Sequence, residues 1–360
     1  MNYKLGELFC GPGGLALGAL STKIKIGKTN HSISHEWAND FDLDSCTTYR
    51  NNLCPNSIES VICQDVRNLD ISKLSAIDGF AFGFPCNDFS LVGEQKGMNG
   101  KFGPLYTYGK NIIDLFKPKF FVAENVSGLT SANSGKAFKK ILTELIKAGS
   151  GYNITVNLYK AEQYGIPQTR HRIIIVGIRK DLEQVFNVPA PTHTDGYVTA
   201  REALEVPKIP KNCSNHEFKK LSEQVIERLS YIRPGENVWN AKIPPRLRLK
   251  DTNTKISQIY KKLDPDKPSY TITGSGGGGT HGYHYHENRA LTNRERARIQ
   301  TFPDNYTFYG SIESVRKQIG MAVPPKLSEV IFKHILLTLA NKEYESVEPN
   351  INLNQLMYEK

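Results

Sequence analysis

Gly79-Phe80-Ala81-Phe82-Gly83-Phe84-Pro85-Cys86-Asn87-Asp88-Phe89-Ser90 is a short apolar run that breaks into a turn carrying one cysteine. A run of this length without polar alternation predicts a strand buried on both faces, as parallel sheets require. Cys86 then stands on the loop beyond the strand's carboxyl end, the edge where open α/β sheets bind ligands. Pro85 removes a backbone donor and stiffens the approach, and a sulfur exposed on such a loop is well placed to act as a nucleophile. An isolated cysteine is more often a small buried hydrophobe. The rest of the chain has to decide between the two.

The composition is that of a globular protein: 360 residues, 39% hydrophobic and 23% charged. That is enough for one large or two modest cores. No stretch is apolar enough for a membrane helix and the amino terminus lacks a signal peptide's apolar core, so a cytoplasmic protein is expected. Cys10, Cys46, Cys54, Cys63, Cys86 and Cys213 are scattered without metal-ligand spacing, which predicts free thiols and no metal. A net charge of +10 fits attraction to a polyanion, though it also fits mere solubility.

Upstream, the apolar run from Leu5 to Phe9 feeds Cys10-Gly11-Pro12-Gly13-Gly14, after which Leu15, Leu17 and Leu20 recur at near-helical spacing. Strand, glycine turn and helix let the backbone approach a ligand closely and present free amides to it. A second strand over Ile33 to Ala38 ends in Asn39-Asp40-Phe41, and a third, Val61 to Val66, carries Asp65 near its tip. Either aspartate alone is commonly a cap or turn former. Together with the glycine turn they describe an adenosine pocket, Asp40 accepting from ribose hydroxyls and Asp65 from an adenine amine.

Downstream of Cys86, residues 91–105 hold four glycines and little apolar content, which reads as a lid or binding loop. Lys119 to Val122 is another buried strand, leading to Glu124. A carboxyl held there and partly desolvated can stay protonated and serve as a donor or acid. A helix from Lys136 to Ala148 and a strand from Asn153 to Lys160 precede Gln168-Thr169-Arg170-His171-Arg172 and the apolar Ile173 to Gly177. Arginines two apart entering a strand share a face and need an anionic or carbonyl partner.

From about residue 180 to 288 the βα rhythm disappears, prolines become frequent and basic residues such as Arg246, Arg248, Lys261 and Lys262 cluster. The Gly-rich, His-rich tract ending this segment could be a metal tract or linker, but in a basic setting it suits a loop touching nucleic acid. Thr292-Asn293-Arg294-Glu295 is a capping box that opens a helix, and Leu327, Val330, Ile331 and Ile335 mark a last helix.

Taken in order, Phe9 to Gly14, Asn39 to Asp42, Asp65, Pro85 to Ser90, Glu124-Asn125-Val126, Gln168 to Arg172, Arg289 with Leu291-Thr292-Arg294-Glu295, and Gln318-Ile319-Gly320 resemble the cytosine-5 DNA methyltransferases of bacterial restriction-modification systems. The resemblance covers nearly the whole chain. It implies a Rossmann-like, doubly wound α/β sheet with a smaller irregular target recognition domain. The corresponding boundaries are 1–180 (catalytic and cofactor-binding), 181–288 (target recognition), 289–345 (return to the catalytic domain) and a tail over 346–360.

The resemblance also implies roles. Cys86 is the nucleophile, Glu124 holds the target ring, Arg172 binds the cytosine carbonyl and Arg170 lies nearer the phosphate backbone. S-adenosyl-L-methionine would lie against Phe9, Cys10, Gly11, Pro12, Gly13, Gly14, Asp40, Phe41, Asp65, Val66, Pro85, Leu105, Met321 and Ala322. Double-stranded DNA would meet Ser90, Val92, Gln95, Lys96 and Lys101 in the loop, and Arg246, Arg248, Gly276, Gly277 and His281 in the recognition segment. A monomer associated with the bacterial nucleoid is implied, with any cognate restriction endonuclease acting separately. Three positions depart from the family pattern: Asn87 for glutamine, Phe102 for arginine and Met321 for asparagine. A transfer-RNA cytosine-5 methyltransferase, an inactive DNA-binding relative and a thiol redox or hydrolytic enzyme are the competing readings. The last would leave the adenosine pocket idle.

Overall fold

The computed structural model describes residues 1–84, 105–130, 135–249, 256–274 and 278–358. The chain divides into two compact units, the first made of Met1–Lys160, His171–Pro191 and Pro325–Lys360, the second of Ala161–Arg170 and Thr192–Pro324.

Unit 1 is built on one sheet. Its strands are β1 (Asn2–Leu8), β2 (Lys23–Ile26), β3 (Thr29–Asp40), β4 (Val61–Cys63), β5 (Gly79–Gly83), β6 (Phe120–Val126), β7 (Tyr152–Lys160) and, after the two-residue β8 (Gln168–Thr169) of unit 2, β9 (His171–Arg179). The order is β2-β3-β1-β5-β6-β9-β7, with β4 also on β3. β1, β3, β4, β5 and β6 are mutually parallel, and β9 runs antiparallel to both β6 and β7. The strand order reverses between β1 and β5. Their carboxyl ends therefore open the crevice where such sheets bind ligands, and they carry the glycine turn and the approach to Cys86.

The helices that cover this sheet include α1 (Gly14–Ser21), α2 (Leu43–Leu53), α3 (Tyr106–Phe116), α4 (Lys136–Lys147) and, after the helices of unit 2, α9 (Pro325–Leu339). Alternation along β6 explains the layers. Phe121 points to one face and meets Tyr152 edge-on at 5.0 Å, within a core shared with Ile112, Ile113, Ile141 and Leu145 of α3 and α4. Phe120 points to the other face, where its ring meets Phe332 of α9 at 6.1 Å. On that face α1 and α9 cross closely, and Ser328 Oγ donates to the Leu15 carbonyl at 2.6 Å. A Cβ at Gly18 would lie 2.3 Å from the Pro325 carbonyl oxygen and 2.5 Å from the Glu329 amide. Backbone cannot swing aside as a side chain can. Gly18→Ala should cost about 1–3 kcal/mol of stability, read as a lowered urea midpoint with an unchanged slope.

Unit 2 contains β8, α5 (Ala200–Glu205), α6 (Glu223–Ser230), β11 (Ser269–Tyr270), α7 (Asn293–Ile299) and α8 (Ile312–Met321), while β10 (Val188–Pro189), β12 (Ser346–Val347) and α10 (Leu353–Tyr358) belong to unit 1. Beside the two-stranded β8–β11 pairing, small apolar cores hold the described residues here. One joins Leu229, Ile232, Leu247 and Tyr283, the other Leu204, Leu263, Tyr285 and Ile299. The expected boundary at residue 288 shifts to 324, because the capping-box helix is tied into this unit. Arg294, fully buried, donates to Ser214 O at 3.0 Å, Pro303 O at 2.9 Å and Tyr306 O at 2.6 Å. The two predicted strands around Asp40 and Asp65 also differ in length: β3 is twelve residues long, and β4 stops at Cys63 before a tight turn over Val66–Asn68.

Candidate active site

The glycine turn leaves β1 with Phe9 at φ 54°, Gly11 at 53° and Gly13 at 89°. Three positive φ values in five residues fold the chain back sharply, a conformation two glycines make inexpensive. Gly13 N–H closes the turn on Cys10 O at 3.0 Å, and the first turn of α1 has no side chain capping it. Uncapped amides at a helix start are donors for a ligand.

Asp40 at the end of β3 is wired to this turn. Its Oδ2 accepts from Gly11 N–H at 2.9 Å and its Oδ1 from Asp42 N–H at 2.9 Å. Burial pushes its carboxyl above the ordinary aspartate value, and the two amides pull the other way. The neighbouring Asn39 donates to Ile62 O and Gln64 O, each at 2.8 Å, which clamps the ends of β3 and β4 together. Asp40, the last residue of β3, and Asp65, two residues past β4, thus stand at neighbouring strand ends. Asp65 is engaged by Arg67, whose Nε donates to Oδ1 at 2.9 Å. Phe41 lies 67% exposed beside Asp40, an aromatic face that no apolar neighbour covers fully. Cys10 is buried in the core with Ala16, Cys46 and Tyr49, where desolvation holds its thiol neutral.

At the other strand end, β5 and β6 pair Gly83 with Glu124. The β6 strand runs on to Val126, so Glu124 lies within the strand near its carboxyl end. Its Oε1 accepts from Arg172 Nε at 2.8 Å, both side chains being little exposed. A Cβ on Gly83 would stand 3.4 Å from Oε2, which fixes that oxygen at the end of β5, three residues before Cys86. Asn125 Nδ2 donates to Phe84 O at 3.2 Å and ties the start of that loop to β6.

Arg172 and Arg170 part company. Arg170 is 1% exposed and donates to Ile272 O at 3.1 Å and Ala322 O at 2.9 Å, holding unit 2 together in place of the phosphate contact expected of it. Beside it, buried Gln168 donates to Gln300 Oε1 at 2.9 Å. Gly320 lets α8 lie against Gly274, since a Cβ there would come within 2.0 Å of the Gly274 nitrogen. Met321 is 64% exposed and Ala322 is buried.

Among the expected DNA contacts, exposed Arg246 is paired with Glu227 (Nη1 to Oε2 2.8 Å), and Arg248 Nε donates to Ile243 O at 3.2 Å. His281 accepts from Arg316 at Nδ1 and is pushed down to about 4 by burial and its cationic neighbours. His284 Nδ1 accepts from the amides of His286 and Glu287 at 3.3 and 3.2 Å, a turn-forming role that accounts for one histidine of the His-rich tract. Leu105 is buried at the start of α3 and Val66 lies in the core. Pro85, Cys86, Ser90, Val92, Gln95, Lys96, Lys101, Gly276 and Gly277 lie outside the described residues, as do Asn87, Phe102 and the loop up to residue 104. Sequence reasoning missed Asn39, Asn125 and a buried glutamate, Glu7; an acid inside the apolar Leu5 to Phe9 run was the available signal for the last.

The site thus combines a glycine turn after β1, a buried carboxylate at the end of β3 and a carboxylate–guanidinium pair on β6 and β9. The chain belongs to the C-5 cytosine-specific DNA methylases, whose family pattern matches residues 3–337. It is 56% identical over 354 residues to the Type II methyltransferase M.BbvI of Brevibacillus brevis, covering 96% of this chain and 94% of that protein. It is also 39% identical to the Type II methyltransferase M.NgoFVII of Neisseria gonorrhoeae, covering 96% and 89%. Among solved structures, an E. coli prophage-encoded protein assigned as a DNA modification methyltransferase superposes with a TM-score of 0.71 over 94% of this chain and 99% of its own, at 22% identity. That likeness bears on the fold alone. Among the described residues no helix is long and apolar enough to cross a membrane.

Proposed function

We propose that this methylase transfers a methyl group from S-adenosyl-L-methionine to carbon 5 of a cytosine flipped out of duplex DNA, as the modification partner of a Type II restriction-modification system. The observation that carries this reading is Glu124, held by Arg172 with Oε2 at the end of β5, three residues from Cys86. Its relatives' Type II descriptions supply the biological setting.

The donor set fits the cofactor. Asp40 would take the ribose hydroxyls, Asp65 and the Val66 amide the adenine edge, Phe41 a ring face, and the uncapped start of α1 the carboxylate end. When bound, S-adenosyl-L-methionine supplies an electrophilic methyl group on a sulfonium sulfur. Asp40→Ala removes both the ligand acceptor and the brace on Gly11. It should weaken cofactor binding by at least about tenfold, since a charge-assisted hydrogen bond contributes ~1.5–3 kcal/mol. Calorimetric titration checks this, and unchanged affinity would put the ribose elsewhere.

Cytosine carbon 5 is a poor nucleophile. Addition of the Cys86 thiolate to carbon 6 forms a carbon–sulfur bond and turns the ring into an enamine able to attack the methyl group at carbon 5. The electron pair that addition pushes toward N3 is met by the Glu124 carboxyl, which holds N3 and the exocyclic amine, while Arg172 donates to the ring carbonyl. Loss of the carbon 5 proton then returns the electron pair that expels the sulfur. None of this is reachable inside a stacked duplex, and extrusion costs a few kcal/mol. Unit 2, with its basic surface residues, reads the flanking bases and grips phosphates. We expect a monomer that works in the cytoplasm on nucleoid DNA, with its endonuclease acting separately.

Incubating the full chain with genomic DNA and labelled S-adenosyl-L-methionine, followed by bisulfite sequencing, tests the reading. Methylated cytosines within one short recurring motif are expected. Label entering transfer RNA instead would move the substrate, and label in neither would leave a DNA binder.

A further inference from the structure

Two arginines of unit 2 stand close together without an acid. Arg296 on α7 is 5% exposed, and Arg316 on α8 is half-buried. Arg296 Nη2 donates to Leu291 O at 3.1 Å, and Arg316 Nη1 donates to His281 Nδ1. The Nε–H of each is buried and meets no acceptor among the described residues. The carboxylates nearby are engaged elsewhere. Glu295 is held by Arg289 at 2.7 and 2.8 Å and Glu313 by Lys219 at 3.2 Å, while Glu217 is exposed to solvent.

A buried cation without a counter-charge is expensive, and a second one beside it adds repulsion. Loss of a proton gives no escape. Burial, with Arg316 adding to it, lowers Arg296 only to about 10, so both guanidiniums stay charged at neutral pH. His281 supplies no negative charge either. It is neutral at pH 7, and because Nδ1 accepts from Arg316 its one ring hydrogen is on Nε2, a third donor. The three side chains together line two adjoining recesses of about 340 and 260 Å³, both open to solvent, with Lys219 and Asn293 in the wall of the first and Gln258 and Thr273 in that of the second. All of them belong to Thr192–Pro324.

We propose that Arg296, Arg316 and His281 form an oxyanion site that takes one phosphate-type group, its oxygens accepting from the two guanidiniums and the imidazole. The donors approach from α7, α8 and the loop before Tyr283, and a tetrahedral group has oxygens on more than one side to meet them, where a carboxylate has two in one plane. Its negative charge also offsets the paired cations, which fit phosphate geometry. The group comes from solution as inorganic phosphate or from the backbone of bound DNA. Only the second source rests on the DNA reading given above.

The test begins with melting of the full chain in millimolar inorganic phosphate against chloride at matched ionic strength. Phosphate stabilises folded proteins generally by exclusion from their surface, so the difference between wild type and variants is what counts. Wild type should gain at least about 2 °C more from phosphate than Arg296→Met or Arg316→Gln does, if the site fills from solution. Should Arg296→Met fail to fold, the half-buried Arg316→Gln carries the comparison alone. Duplex binding over a range of salt concentrations separates the sources. If the group is a backbone phosphate, Arg316→Gln should weaken binding to all sequences by about tenfold at roughly 0.1 M salt, and should lower the salt slope by about 0.9. Equal phosphate responses in all three chains together with an unchanged salt slope overturn the proposal. A wild-type chain that binds no duplex overturns the DNA reading instead, and the melting curves then decide the site by themselves.

Discussion

Cys86→Ser should reduce methyl transfer by at least about 10³-fold, while duplex DNA and S-adenosyl-L-methionine still bind. A hydroxyl has the size of a thiol but a far higher pKa, so at neutral pH it offers almost none of the anion that adds to carbon 6. On the proposed reading, binding draws on other groups: Asp40 and the α1 terminus for the cofactor, unit 2 for the DNA. Transfer of labelled methyl groups to DNA, run beside a gel-shift and a cofactor titration, separates the two. Wild-type turnover by this variant would remove Cys86 from the chemistry and revive the buried-thiol reading.

The second large effect lies at the Glu124–Arg172 pair. Glu124→Gln keeps an oxygen for Arg172 Nε but gives the target amine a neutral and weaker partner, so a loss of about 10²–10³-fold in kcat is expected with little change in stability. Glu124→Ala goes further. It leaves Arg172, with 13% of its side chain exposed, without the carboxylate at 2.8 Å, and should add about 2–4 kcal/mol of destabilisation. Single-turnover rates and urea unfolding of the two variants form the measurement. Equal stability of Gln and Ala variants would mean that the pair is not structurally important, and full activity of either would take Glu124 out of the site.

The buried central strands were legible because their sequences do one thing. Phe80-Ala81-Phe82 and Ile173 to Val176 are apolar on both faces, and no other common environment accepts such runs. The β2–β3 hairpin was not seen whole, because Lys23 to Ile26 is a short alternating run at an exposed edge and Thr29 to Ser32 carries no apolar residue at all, patterns shared by many loops. The glycine turn and Asp40 could be read together because their spacing is local to one βαβ unit. Arg170 and Arg172 could not be told apart. Their spacing puts them on one face, yet what each meets is set by residues more than forty positions away, Ile272 and Ala322 for one and Glu124 for the other. The same holds for residues 289–324. Their helices look like any return to a sheet domain, and distant partners such as Ser214 for Arg294, Gln168 for Gln300 and Arg170 for Ala322 assign them to unit 2.

The contact between Ser328 and Leu15 spans 313 residues. During translation, then, α1 leaves the ribosome long before the helix that covers it exists. At ~5–20 residues per second the wait is roughly 15–60 s. For that interval the small-residue face of α1, with Ala16, Gly18 and Ala19, stays open to chaperones and to other nascent chains. The nascent protein can assemble β1 to β9 and most of unit 2, yet it seals the fold with one of its last helices. A premature stop anywhere before Pro325 should yield insoluble product instead of a smaller working domain.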